Sequence, residues 1–218
     1  MLKLNLACAT NMFPGWVNLD LFDMSGYLQT LRTTGDISTW PEHQQKIAAH
    51  ARDNRVTCGV WDLGQGLPQY ADGTADAIYS GQFLEHIHAL NGAPAFLSEC
   101  WRVLKPGAAL KLTTPDLDML IDAYKSGEMD KFQTEQPDYY MKVTPDAQLS
   151  FLLFGATGPN CLRSNFEGHW HIYGRRNMTA LLDVIGFTDI RYDGFDPIFD
   201  ETVDCGMTHS MAVQARKP

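Results

Sequence analysis

The chain has 218 residues, a formal charge of -9, and 44% hydrophobic against 20% charged residues. That length suits one α/β domain with elaborations and is enough to bury a core without disulfides. The acidic balance argues against nucleic-acid backbone as the main partner, because phosphate binding draws on clustered Lys and Arg; no apolar run approaches the roughly 20 residues of a membrane helix.

The first segment, MLKLNLACAT, lacks a basic region and a long enough apolar run for a signal peptide, and is read as a core strand, Leu2 to Leu6. It runs into the small residues Ala7, Cys8 and Ala9. A second short strand, Trp16 to Leu19, ends at Asp20. A helix over Pro41 to Arg52 precedes a strand over Val56 to Trp61, which ends at Asp62. The fourth strand, Ala75 to Ser80, continues into Gly81 and Gln82. In the helix Ala93 to Leu104 the apolar residues Phe96, Leu97, Cys100, Trp101 and Leu104 recur at three- and four-residue steps, and Lys105-Pro106-Gly107 is read as its stop.

A strand over Ala108 to Thr113 follows, then helices over Leu117 to Ser126, Thr144 to Phe154 and Arg176 to Ile185, the last with Gly186 as its C-terminal cap. Strands over Thr188 to Tyr192 and Met211 to Ala215 close the series. This alternation of strands and helices is the pattern of a mainly parallel sheet covered on both faces. A stretch from about 125 to 174, rich in Pro, Gly, aromatics and acids, interrupts it and reads as a lid or substrate-binding insertion within a single domain spanning 1–218. The five cysteines are odd in number and scattered, with no C-x-x-C pair, which fits a reduced, cytoplasmic setting.

In an open parallel sheet ligands settle beyond the carboxyl ends of the strands, where the strand order reverses. The first four ends here carry Ala7-Cys8-Ala9, Asp20, Asp62 and Ser80-Gly81-Gln82. A carboxylate at the second end can accept from a ribose diol, small residues at the first turn let backbone amides approach a ligand, and Asp62 can accept from an adenine amino group. The set suggests a cofactor containing adenosine. Ala7 to Asp20 is too short for a helix between the first two strands, so a pyrophosphate on that helix's N-terminus, as in NAD binding, is disfavoured.

The blocks LNLACATNMFPGWVNLDL, VWDLGQGLPQYADGTADAIYSGQFLEHI, ECWRVLKPGAALKLTTPDLDMLI and HWHIYGRRNMTALLDVIGFTDIR resemble, in this order, those of class I S-adenosylmethionine-dependent methyltransferases. The subgroup they resemble has an LNLGCG-type first turn followed at once by PGW and N-x-D. The resemblance implies a Rossmann-like, seven-stranded, mainly parallel sheet with helices on both faces and the last strand antiparallel. It also implies S-adenosylmethionine as cofactor, S-adenosylhomocysteine as product, and a cofactor site of Ala7, Cys8, Ala9, Asp20, Leu21, Asp62, Leu63, Ser80, Gly81 and Gln82. Where the family has two glycines, this chain has Ala7 and Ala9. A left-handed backbone at either costs roughly 1 kcal/mol or more, whereas a negative φ is tolerated.

Methyl transfer from a sulfonium needs alignment and exclusion of water, and an acceptor hydroxyl also needs a base. His86 of the LEH block is the first candidate; the alternative is a buried histidine that fixes the turn. His169 and His171, in GHWHIYG, are lid candidates facing substrate. Their H-x-H spacing beside Glu167 offers no identifiable third ligand, so no metal is assigned. Asp116, Trp170 and Tyr173 are the substrate-binding candidates, with an N-cap as the other explanation of Asp116. Tyr139, Tyr140, Phe151 and Phe154 are further candidates for an aromatic wall against substrate or sulfonium.

The expected function is methyl transfer to the oxygen or nitrogen of a small polar acceptor, a sugar or related metabolite among them, with no nucleic-acid or membrane partner. A non-catalytic cofactor-binding protein of the same fold is the alternative, and an NAD-dependent oxidoreductase the third reading.

Overall fold

The computed structural model describes residues 1–40, 42–53, 55–132, 144–154, 168–200, 202 and 209–218. Tyr139, Tyr140 and Glu167 lie outside the described residues. The strands are β1 (Lys3–Leu6), β2 (Val17–Asp20), β3 (Cys58–Val60), β4 (Ala75–Gly81), β5 (Leu104–Pro115), β6 (Thr188–Arg191) and β7 (Ser210–Arg216). They form a seven-stranded sheet in the order β3-β2-β1-β4-β5-β7-β6. The pairs from β3 through β5 are parallel, and β7 runs antiparallel to both β5 and β6. This is the sheet the resemblance implies.

Helices α1 (Ser25–Thr33) and α2 (Glu42–Arg52) connect β2 to β3, and α3 (Gly92–Val103) connects β4 to β5. The two crossovers travel in opposite directions along the sheet, and the right-handed rule therefore puts them on opposite faces. On one face α3 and α6 (Arg175–Ile185) bury Phe96, Leu97, Cys100, Met178 and Leu182 among Leu4, Leu6, Ile78, Leu110 and Leu112 of the strands. On the other, alternate strand residues Ala77, Tyr79 and Ala109 meet Phe13, Trp16 and Phe199. The apolar strands are thus buried on both sides, which is why they read as nearly continuous hydrophobic runs. Two further helices, α4 (Leu117–Ser126) and α5 (Pro145–Phe154), pack together around Leu120, Ala123 and Leu152.

Two expectations from the sequence need correction. Helix α1 was not anticipated. It has no side-chain N-cap and no acid in its first turn, and it buries only Leu28 and Leu31, so its helical signal is weak. The Lys105-Pro106-Gly107 segment read as the helix stop lies inside a strand: α3 ends at Val103, β5 begins at Leu104, and these residues form a bulge between the pairs Ala75↔Leu104 and Ala77↔Ala109. Gly107 supplies the left-handed step there, with φ at 78°. By contrast Gly186 caps α6 at φ 102° as its position predicts.

Candidate active site

The order reversal falls between β1 and β4, so the crevice at the carboxyl ends of β2, β1 and β4 is the ligand site expected of such a sheet. Its first wall is the turn after β1. Ala7 has φ 54° and Ala9 φ 42°, so both occupy the left-handed region that glycine adopts without strain. The turn is held there by backbone and buried polar groups. The Cys8 N–H donates to the Leu19 carbonyl at 3.1 Å, and the Ala9 N–H donates to Asp20 Oδ2 at 2.7 Å.

Two asparagines in the motifs brace the connection that follows. Asn5 donates to the Asn11 carbonyl and to Asn18 Oδ1, both at 2.8 Å. Asn18 in turn accepts from the Phe13 N–H and donates to the carbonyls of Phe13, Trp16 and Thr57. These side chains replace, for a connection that has no helix, the backbone bonding that a helix would supply.

Asp20 is only 5% exposed. One carboxylate oxygen takes the Ala9 N–H and the other takes the Phe22 N–H at 3.0 Å. Each oxygen has a second lone pair, so the carboxylate can hold the turn and still accept from a ribose diol. Leu21 beside it is exposed. Asp62, after β3, is exposed and accepts from the Gly64 N–H at the start of a short 3-10 turn, Leu63–Gln65, that buries Leu63.

At the end of β4, Ser80 is buried and its Oγ has no hydrogen-bond partner, an orphaned polar atom at the switch point. Gly81 sits in a tight place between two side chains. An added Cβ would lie 2.6 Å from Tyr79 Oη and 2.9 Å from Thr113 Oγ1. Gln82 follows with φ 54°, its amide donating to Ser210 Oγ.

Cys8 Sγ lies 3.4 Å from Cys58 Sγ, the two being free thiols on neighbouring segments. Their hydrogen bond lowers the pKa of Cys58 below the ordinary thiol value and raises that of Cys8, which burial raises further. A cleft of about 540 Å³ shares Leu63 and Phe83 with this end and runs along α3 past Phe96 to Glu99 and Arg102.

The second wall is built by the LEH block and by GHWHIYG. Leu84–His86 forms a 3-10 turn after β4. The Glu85 carbonyl accepts the N–H groups of Trp170 at 2.7 Å and His171 at 3.4 Å, which fastens the later segment across the turn. The His86 and His169 rings then lie 4.9 Å apart between centroids. Glu85 is wholly buried; Oε2 accepts from Thr114 Oγ1 at 3.0 Å, while Oε1 has no hydrogen-bond partner and stands 3.9 Å from His86 Nε2. Burial pushes the pKa of this carboxyl up to about 7. Burial also holds His169 below the usual imidazole value and, with the nearby Glu85, raises Tyr173 to about 12.

The structure therefore brings His86 and His169 together but turns His171 away, its ring set edge-on to Tyr173 at 4.6 Å. Trp170 is 55% exposed, while Tyr173 is buried with its hydroxyl unpartnered. Asp116 is the N-cap of α4, accepting from the N–H groups of Asp118 and Met119, and is 1% exposed. The cap uses Oδ1, while Oδ2 stands 3.6 Å from Arg175 Nε. Glu85 was not singled out from the sequence. Its only signal there is its place between the end of β4 and His86.

Residues 27–112 match the family model for a methyltransferase domain. Together with the strand order, that match decides the architecture. The chain has the class I methyltransferase fold. Among solved structures, a protein from Pyrococcus horikoshii OT3 described as PH0226 superposes with a TM-score of 0.52 at 14% identity, over 99% of this chain and 81% of that one. A possible exported protein from Bordetella parapertussis gives 0.50 at 16% identity, with this chain spanning 62% of it. The Haloferax volcanii complex of the Trm112 methyltransferase activator and a putative methyltransferase gives 0.50 at 10% identity, over 99% of this chain and 82% of that one. No curated protein matches.

The cofactor that the methyltransferase-domain match implies is S-adenosylmethionine, and the residues present fit it. The turn at Ala7 to Ala9 keeps the glycine-like backbone, Asp20 offers free lone pairs beside it, and Ser80 Oγ awaits a partner. Among the described residues no helix is long and apolar enough to cross a membrane.

Proposed function

We propose that this protein transfers a methyl group from S-adenosylmethionine to an oxygen or nitrogen of a small polar acceptor. The observation that carries the reading is the first turn: Ala7 and Ala9 hold positive φ, and Asp20 binds the Ala9 N–H. A left-handed alanine costs roughly 1–2 kcal/mol. Strain of that kind persists where the surroundings enforce it, and it clusters at ligand sites. No helix separates β1 from β2, so the geometry favours a cofactor without a pyrophosphate and disfavours NAD.

S-adenosylmethionine supplies a methyl group on a cationic sulfur that departs as a neutral thioether. Asp20 binds the ribose hydroxyls, Asp62 and Leu63 flank the adenine, and the backbone of Ala7 to Ala9 and Ser80 to Gln82 lines the methionine end. His86 and His169 face the acceptor over the buried Glu85, with Trp170 covering it as part of a lid. His86 is the member of the trio placed to take the acceptor's proton, because its side chain keeps 18% exposure while Glu85 is sealed. In this reading the acceptor is a hydroxyl- or amine-bearing metabolite. The protein works in the reducing cytoplasm, where Cys8 and Cys58 stay thiols.

Calorimetric titration with S-adenosylmethionine, S-adenosylhomocysteine and NAD tests the cofactor assignment. Micromolar-class binding of the two sulfur ligands and none of NAD is expected. The Ala7→Gly/Ala9→Gly double variant should bind within a few fold of wild type, since the alanines already hold the required backbone. Binding of NAD alone would overturn the reading.

A further inference from the structure

We propose that Glu85, His86 and His169 form a binding site for a borderline divalent cation of the zinc class, with one coordination position left for a water or an acceptor oxygen. Their ligand atoms all lie within 4.8 Å of one another. The donor set, two imidazoles and one carboxylate, is one that such cations select, and three protein ligands with an open fourth position are the arrangement of reactive rather than purely structural sites.

Three further observations point the same way. Glu85 Oε1 is buried without a hydrogen-bond partner, a state that carries a desolvation penalty unless a cation or donor meets it. His169 Nδ1 lies 3.2 Å from the Leu152 carbonyl. A carbonyl only accepts, so Nδ1 carries the proton and Nε2 keeps its lone pair, which is the outer-shell arrangement that orients metal-binding histidines. Thr114 donates to the other Glu85 oxygen and fixes the carboxylate plane in the same manner.

The scaffold is set by backbone. The Glu85 carbonyl binds the Trp170 and His171 amides, so the two segments that bear the ligands are fastened together without using any ligand atom. Zinc bonds of about 2.0–2.2 Å put tetrahedral ligand atoms roughly 3.3–3.6 Å apart. Glu85 Oε1 and His86 Nε2 stand 3.9 Å apart and all the ligand atoms lie within 4.8 Å of one another, so binding the cation draws the three side chains together.

This inference deepens the methyltransferase reading and rests on it for its chemical role. With the cation bound, His86 is a ligand. Acidification of a coordinated acceptor hydroxyl then replaces proton removal by a free imidazole: the O–H bond breaks with its electron pair left on oxygen, and the proton passes to water. The acceptor class this favours presents an oxygen donor at or beside the methylated atom.

The test is titration of the chelator-treated full chain with Zn²⁺ by calorimetry and with Co²⁺ by visible and NMR spectroscopy. Expected are one cation per chain, the intense visible bands of four-coordinate Co²⁺, and one shifted exchangeable ring N–H from each of two imidazoles. Glu85→Gln and His169→Ala should each weaken Zn²⁺ binding by more than about tenfold, the least that loss of even an outer-shell partner brings. Retained affinity in both variants, or a Co²⁺-thiolate charge-transfer band marking Cys8 and Cys58 as the ligands, would overturn the site. If a variant does not fold, the wild-type Co²⁺ spectrum still decides, since absence of shifted imidazole N–H signals contradicts the assignment. Binding of S-adenosylhomocysteine, measured with and without Zn²⁺, separates the two claims: its retention with no cation binding sinks only the cation site, and its loss with cation binding intact sinks only the methyltransferase reading.

Discussion

Asp20→Ala is expected to lower the unfolding free energy by about 2–4 kcal/mol and to weaken S-adenosylmethionine binding by about 10- to 100-fold. The stability loss follows from the two amides left behind. Ala9 N–H and Phe22 N–H both end on the Asp20 carboxylate, which is almost wholly buried. Each unsatisfied donor costs about 1–3 kcal/mol. The affinity loss has two sources: the ribose loses its acceptor, and Ala9, no longer held, can leave the strained left-handed region for a conformation that closes the turn. Asn at position 20 keeps one carbonyl acceptor and should fall between wild type and alanine in both measurements. Denaturant unfolding and calorimetry on the three proteins separate the effects. Lost stability with unchanged affinity would make Asp20 a brace for the turn and remove it from the cofactor site.

His86→Ala is expected to slow turnover by about 10²- to 10⁴-fold, the range for loss of a positioned proton-transfer group, while cofactor affinity changes little. The substituted side chain lies beyond β4 on the acceptor wall, within ring contact of His169, whereas the residues assigned to the cofactor lie on the turns after β1, β2 and β3 and at the end of β4. The substitution removes the imidazole whether it accepts the proton itself or holds a cation that acidifies the acceptor. A thermal-melt shift far larger than the drop in turnover would instead support the reading of His86 as a histidine that only fixes the turn.

The central strands were legible because β1 and β4 are short, mostly buried apolar runs, and the strand ends are marked by a polar or small residue, as with Leu4 and Leu6 before Ala7 or Leu19 before Asp20. Helix α1 was not, since Leu28 and Leu31 give too little periodicity and no cap marks its start. The cofactor side could be read for a local reason: a strand end and its turn are adjacent in sequence, so Ala7, Asp20 and Ser80 announce the crevice. Their backbone state was beyond sequence, because the φ of an alanine is decided by whatever holds its N–H, here a carboxylate from the next strand.

On the acceptor side the relevant contacts are non-local. His169 meets His86 only because the amides at 170 and 171 find the Glu85 carbonyl. The burial that makes the Glu85 side chain chemically notable likewise comes from β5, through Thr114, and from the docked segment. An H-x-H pair suggested His169 and His171 as partners, yet the intervening geometry sends His171 to Tyr173.

The most direct measurement is transfer of label from methyl-labelled S-adenosylmethionine by the purified chain to a panel of hydroxyl- and amine-bearing metabolites, with S-adenosylhomocysteine followed in the same reaction. The account predicts label on an acceptor oxygen or nitrogen with one S-adenosylhomocysteine formed per methyl moved, and loss of both with His86→Ala. Tight cofactor binding with no label moved to any acceptor across the panel would contradict it and leave a protein that binds the cofactor without using it.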